Sequence, residues 1–266
     1  MSIRICILAS GSSGNCTYIG TPENGMLVDA GLSARRTVAC LAEIGVTPDQ
    51  VRGICVSHEH SDHIHGLRVL QKRFGIPLYA NAGTVDALER NPELRALQWN
   101  IFTTGHPFRV GDLHVEPFSV PHDAYDPVGF IVQHDAVRVG VVTDMGMVTG
   151  LIRERLRTCH VLVVEANHDE RLLQDAERPW SLKQRILGRQ GHLSNQHAAE
   201  LVAEIAHPEL RHVFLAHLSE DCNKGELALQ AASLALEKRG HRHVRVSLTY
   251  PDRISDVCVW EMMSKV

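Results

Sequence analysis

The sequence predicts an α/β fold built from two related halves, and three observations carry that prediction. Apolar runs of strand length alternate with amphipathic stretches of helical spacing along the 266 residues. Gly53-Ile54-Cys55-Val56-Ser57-His58 and His212-Val213-Phe214-Leu215-Ala216-His217 both carry an apolar strand into a histidine. Leu27-Val28-Asp29-Ala30-Gly31 and Val142-Thr143-Asp144-Met145-Gly146 both end a strand in Asp-x-Gly. Two halves that each offer polar groups at strand ends place one site at their seam, because ligand sites in α/β folds lie beyond the carboxyl ends of strands. No shift in composition marks a linker, so residues 1–266 read as a single domain.

Taken in order, Ile3 to Leu8 alternates as a strand. Ser10-Gly11-Ser12-Ser13-Gly14-Asn15 follows, a tight loop whose N–H groups face either an anion or a neighbouring loop; it lacks the Gly-Lys-Ser/Thr of a P-loop, and a plain turn is an equal reading. Gly25 to Gly31 is a short strand, and a helix runs from an N-cap at Ser33 to Ile44. A strand over 53–57 leads into Ser57-His58-Glu59-His60-Ser61-Asp62-His63. Ile64 to Phe74 has helical spacing and is closed by Gly75 and Pro77, after which Leu78-Tyr79-Ala80 resumes a strand. From 99 to 143 short alternating runs (Ile101-Phe102, His114 to Val120, Val128 to Gln133, Val137 to Val142) signal an antiparallel meander. Leu151 to Leu156 and the strand Val161 to Glu165 open the second α/β half. Ser194 caps a helix reaching about Ala206, His212 to Ala216 is a strand, Glu226 to Lys238 a helix and Val244 to Leu248 a strand.

Composition removes several function classes. A net charge of −4 argues against a protein that coats nucleic acid by bulk electrostatics, but leaves room for a local basic track. The candidate for such a track is 176–190, where Arg178, Lys183, Arg185 and Arg189 meet a single acid, Glu177, with Trp180 available to stack on a base; a solvated helix face is an equal reading. The seven cysteines form no Cys-x-x-Cys, and no apolar stretch approaches the length of a membrane span. The absence of a secretory signal pattern and the odd number of thiols point to the cytoplasm.

The anomaly is histidine, with 17 residues. Three of them and an aspartate fall between His58 and His63, directly after a buried-strand pattern. Four such groups cannot all be satisfied within a packed core, whereas a bound cation satisfies them together. Asp62 stands where the second histidine of His-Glu-x-x-His would be, which excludes the zincin helix.

The pattern His-x-His-x-Asp-His resembles the metallo-β-lactamase-fold hydrolases. Further stretches are most similar to the YycJ/WalJ group of bacterial DNA exonucleases: Leu8 to Asn15, Glu165-Ala166-Asn167-His168-Asp169, Gly191-His192-Leu193-Ser194-Asn195 and Leu215 to Ser219. Ala166, where the group has serine, is a departure. The resemblance implies a four-layer αββα sandwich with a site for two divalent metals at one edge. It implies that His58, His60 and His122 hold one metal, that Asp62, His63 and His217 hold the other, and that Asp144 bridges them, with Asp29 as a supporting carboxylate. The ligand set has no cysteine, which suits zinc, manganese or iron. Secreted β-lactamases differ at the positions of His63 and Asp144, ribonuclease J needs a large inserted domain, and ribonuclease Z carries an extra arm that is not evident in this sequence.

The expected activity is therefore dinuclear phosphodiester hydrolysis, a 5′-to-3′ DNA exonuclease using a metal-bridging hydroxide, with Asp62, Asp144 and His192 as catalytic residues. His192 and the start of the helix at 195 would hold a phosphate, Ser194 and Asn195 would add hydrogen bonds, and Asn167 and His168 would line the cleft, a structural role being an equal reading for His168. The alternatives are a small-molecule phosphodiesterase or thioester hydrolase, ribonuclease Z-like RNA processing, and a non-catalytic regulatory ligand-binding protein on the same fold.

Overall fold

Two seven-stranded sheets face one another, each with helices on its outer side. The computed structural model describes residues 2–261. The first half comprises β1 (Ser2–Ala9), β2 (Cys16–Gly20), β3 (Gly25–Val28), α1 (Ala34–Glu43), β4 (Val51–Cys55), α2 (Ser61–Ile64), α3 (Leu67–Phe74), β5 (Leu78–Asn81), α4 (Ala82–Glu89) and β6 (Trp99–Phe102). The second comprises β7 (Phe108–Val110), β8 (Leu113–Ser119), β9 (Val128–His134), β10 (Val137–Val142), α5 (Gly150–Leu156), β11 (Val161–Glu165), α6 (Glu170–Asp175), α7 (Trp180–Leu187), α8 (Asn195–Ile205), β12 (His212–Ala216), α9 (Gly225–Lys238) and β13 (Arg245–Leu248). The last strand, β14 (Cys258–Glu261), returns to the first sheet and pairs antiparallel with β1.

The strand orders are β14-β1-β2-β3-β4-β5-β6 and β13-β12-β11-β10-β9-β8-β7. The side-chain period of two explains the layers. Along β11, Val161 and Val163 face the opposite sheet while Leu162 and Val164 face the helices; Phe214 and Val213 divide in the same way on β12. Strands buried on both faces read as continuous apolar runs, which is why β11 and β12 look alike in the sequence, and β4 joins them from Gly53 onward, past the exposed Arg52. The first sheet is covered by α1, α3 and α4, the second by α5, α8 and α9. This is the four-layer αββα arrangement expected.

Several local expectations need correction. The helix expected over 64–74 is two helices, α2 and α3. They part at Gly66, whose N–H donates to Ala30 O at 2.8 Å and where a Cβ would overlap the carbonyl of Leu32. Close backbone approach there overrides the continuous apolar spacing. Ile101-Phe102 is not part of the meander: β6 lies parallel to β5 at the edge of the first sheet. The second half begins earlier than Leu151, since the meander from β7 to β10 lies in its sheet. Ser33 caps α1 as expected, accepting from Arg36 N–H at 3.3 Å.

Candidate metal centre

The polar groups gather where the parallel strands of both sheets end. β4 delivers Ser57 to His63, β3 delivers Asp29, β10 delivers Asp144, β11 delivers Glu165 and β12 delivers His217. Asp29 and His217 occupy the left-handed region, with φ of 62° and 53°. Such a conformation costs a residue with a Cβ about 1–3 kcal/mol and persists only where surrounding bonds determine it. They do: Asp29 N–H donates to Cys55 O at 2.9 Å and His217 N–H to Ser10 Oγ at 2.8 Å. The Asp-x-Gly echo has a steric cause as well. A Cβ at Gly31 would overlap the carbonyl of Asp62, and one at Gly146 would overlap the backbone of Arg189 and Gly191. Each glycine lets another site loop pass directly against it.

The donors fall into overlapping groups. His58, His60 and His122 present nitrogens within 4.8 Å of one another, and so do the donor atoms of Asp62, His63 and His217. Asp144 stands between them: Oδ2 lies 3.2 Å from His63 Nε2, and Oδ1 lies 3.6 Å from His217 Nε2 and 3.8 Å from His122 Nε2. His58 Nε2 and His122 Nε2 both face His60 Nδ1, at 3.1 and 3.3 Å.

A cation fits this arrangement. Imidazole nitrogens that face one another carry too few protons to satisfy every contact, and Asp144 Oδ2 is buried with no hydrogen-bond partner. Neutral imidazole and carboxylate are suitable donors for a divalent metal. The charge balance points the same way. Burial disfavours a charge on His63 and on His217, yet Asp29 and Asp144 raise the first well above its ordinary value, and Asp144, Asp62 and Glu165 raise the second to about 10. His58, with fewer carboxylates beside it, is pushed down by burial and by the neighbouring His63. Burial opposes the charge on Asp144 too, but His217 and His63 hold its carboxyl well below the usual range.

Outer hydrogen bonds orient the donors. Asp29 accepts from His63 Nδ1 at 2.8 Å, and from Ser57 N–H and Oγ at 2.8 and 2.9 Å. His122 Nδ1 donates to Gly191 O at 3.0 Å. Glu165 is fully buried; Oε1 accepts from His192 Nδ1 at 2.6 Å and lies 3.3 Å from His217 Nδ1, while Oε2 accepts from Met145 and Leu193 N–H at 2.9 and 3.0 Å. Asn167 Nδ2 donates to His217 O at 2.9 Å.

Other expected residues sit differently. Ser194 Oγ caps α8, accepting from His197 N–H at 3.3 Å and donating to Glu170 at 3.1 Å. Asn195 is buried in a reciprocal amide pair with Asn223 at 2.7 and 2.9 Å, which engages its Oδ1 and one Nδ2 N–H. His168 is buried, not on an open cleft, and neither ring nitrogen has a hydrogen-bond partner. His192 keeps a partly open side chain beside Asp144, with its Nδ1 3.6 Å from Oδ1. In the basic run, Arg178 pairs with Asp221 at 2.5 Å and Arg185 pairs with Asp123, so acids far away in sequence neutralise half of it.

Sequence reasoning did not assign Asn15, Ser57 or Glu165. Asn15 Nδ2 lies 3.1 Å from both Asp62 Oδ2 and His63 Nε2, and its N–H donates to Asp62 O at 2.7 Å. The Ser10–Asn15 loop therefore braces the donor loop. An available signal was Glu165, an acid ending an otherwise apolar strand.

An αββα fold with these donors at one edge defines a metallo-β-lactamase-fold protein. The model of the β-lactamase superfamily domain matches residues 24–218, and the chain belongs to that superfamily. Within it, the chain is 40% identical over 241 residues to exodeoxyribonuclease YycJ of Bacillus anthracis, covering 90% of this chain and 91% of that protein. It is 39% identical over 231 residues to exodeoxyribonuclease WalJ of Streptococcus pneumoniae, covering 86% of each. The metallo-β-lactamase fold protein YhfI of Bacillus subtilis matches with a TM-score of 0.71 over 97% of this chain and 99% of that one, at 14% identity, a likeness in fold.

Proposed function

We propose that this chain is a metal-dependent phosphodiesterase that degrades DNA from the 5′ end, and that residues 1–266 form one catalytic domain. The observation that carries the reading is the convergence of two three-donor groups on Asp144 at the open edge of the sandwich. Relatives at 40% and 39% identity named exodeoxyribonucleases support DNA as the substrate.

His58, His60 and His122 hold one divalent cation, Asp62, His63 and His217 hold a second, and Asp144 serves both. Four carboxylates (Asp29, Asp62, Asp144 and Glu165) enter a largely buried cluster, and neutral histidines do not balance them. Two divalent cations do, with zinc, manganese or iron suited to the donors. When bound, the cations supply Lewis acidity, which acidifies a water and neutralises charge on the phosphate during an in-line displacement.

The chain's own groups position the reaction. Asp29 and Glu165 fix the tautomers of His63 and His192 through their Nδ1 protons. With Nδ1 engaged, His192 offers Nε2 to a phosphate oxygen from its partly exposed side. Lys183 and Arg189 extend positive charge from the site for the strand backbone. The seven free cysteines, six of them buried, suit a reducing compartment, the cytoplasm. Among the described residues no helix is long and apolar enough to cross a membrane.

The test is metal analysis of the purified protein, followed by hydrolysis of end-labelled single- and double-stranded DNA and RNA with Mn, Mg or Zn. Two ions per chain and stepwise release from the 5′ end of DNA are expected. A protein without metal, or one that cleaves a cyclic nucleotide or a thioester but no DNA, overturns the reading.

A further inference from the structure

We propose that Tyr125, paired with Arg90, is the platform on which the nucleobase beside the scissile phosphate stacks. This rests on the nuclease reading and specifies how its substrate is held.

Tyr125 follows His122 by three residues on the loop between β8 and β9. Three peptide steps span at most about 11 Å, within one or two nucleotides of the donors. Its backbone N–H donates to Glu59 Oε1 at 2.8 Å, and Glu59 lies between His58 and His60. The segment that carries the ring is thus tied to the segment that carries the donors.

The ring itself is placed but not buried. It rests on the start of α4, where a Cβ at Gly83 would come within 3.0 Å of Tyr125 Cδ1. The Arg90 guanidinium, from the other end of that helix, lies 5.1 Å from the ring centroid. Tyr125 nevertheless remains 57% exposed. A large aromatic left open at the lip of a polar site makes little use of its apolar area in the fold, and that area is available to a ligand.

The chemistry that fits is a nucleobase and its phosphate. Any base has a π-face that stacks on tyrosine, and the adjacent guanidinium meets the phosphate. Glu59 accepts the Tyr125 N–H and Asp126 packs at Gly83, so among the charged groups beside the ring Arg90 is the one that meets a phosphate. Trp180 is also exposed, but its route to the donors is longer. Its helix α7 reaches this loop through the Arg185–Asp123 ion pair, and Trp180 stands about 7.5 Å of helical rise from Arg185. Tyr125 is two residues from the same Asp123.

The experiment compares wild type, Tyr125→Leu and Tyr125→Phe on a 5′-phosphorylated single-stranded oligonucleotide, and on the same strand with abasic residues at its first two positions. A base stack of ordinary strength predicts that Tyr125→Leu raises KM about tenfold with kcat within about threefold, whereas Tyr125→Phe keeps the ring and stays near wild type. Wild type should lose a similar factor on the abasic strand, and Tyr125→Leu should lose nothing further there. Equal KM for wild type and Tyr125→Leu on intact DNA overturns this inference alone, as does an undiminished effect of Tyr125→Leu on the abasic strand. A wild-type protein that cleaves no nucleic acid overturns the nuclease reading and the stacking platform with it.

Discussion

A buried histidine stands at each end of β12, His212 opening the strand and His217 directly following it, and the two behave in opposite ways. His212, at the end far from the site, is 4% exposed; its Nε2 contacts Ser247 Oγ at 2.9 Å and its ring stacks on Phe214. Burial pushes its pKa down to about 4, with Arg245 acting in the same direction and Asp256 only partly opposing them. His217, at the site end, is 3% exposed, yet there Asp144, Asp62 and Glu165 outweigh burial and raise it to about 10. Equal burial therefore says nothing about role. What separates the ends is the number of carboxylates aimed at the ring, and only the site end is built to hold positive charge.

The largest expected effect comes from removing the carboxylate shared by both donor groups. Asp144→Ala should lower hydrolysis by more than about 100-fold, beyond the 10–100-fold typical of outer contacts, and reduce bound metal. Normal metal content with normal rates would refute the bridging assignment. Next is Glu165→Gln, which keeps the side-chain volume but removes the charge behind both His192 and His217. A loss of about 10–100-fold in metal affinity or rate is expected, read by chelator competition beside steady-state kinetics on a folded protein; an unchanged protein would mean that Glu165 serves only Met145 and Leu193. The smallest effect belongs to the far end of the strand. His212 has a folded-state pKa near 4, below the unfolded value of about 6.5, so between these limits the unfolded chain binds the extra proton. Its contribution to stability should fall as pH drops from about 6.5 to about 4, by at most about 1.4 kcal/mol per pH unit. His212→Gln should flatten that part of the denaturation-versus-pH curve without changing metal content, and a curve of unchanged slope would place the sensitivity elsewhere.

Much of the fold is legible in the sequence. β11, β12 and the end of β4 from Gly53 were readable because burial on both faces demands apolar runs. α1 and α8 were readable from Ser33 and Ser194, which cap them as their residue types suggest. β14 was not: Cys258-Val259-Trp260-Glu261 is a four-residue edge strand with a half-exposed Val259, and only pairing with β1 makes it a strand. α4 was missed for a related reason, since Asn81 caps it directly from the last residue of β5 and no turn punctuates the change. The split between α2 and α3 depends on Ala30 and Leu32, residues the helical pattern does not contain.

The candidate site divides along the same line. The sequence by itself pointed to the kind of chemistry: His58, His60, Asp62 and His63 follow a buried strand at the spacing of metal donors, and no distant residue is needed to see it. Tertiary structure alone decided which side chains hold those donors in place. Asn15, Ser57 and Glu165 have no role readable from their local sequence alone, and each acquires one through a hydrogen bond to another loop or strand end. It also decided that Asn195 belongs to an amide pair with Asn223, and that Asp123 and Asp221 neutralise half of the basic run. The physical reason is that residue type sets which bonds a group can make, whereas the partner that completes each bond is chosen by packing between segments far apart in the chain.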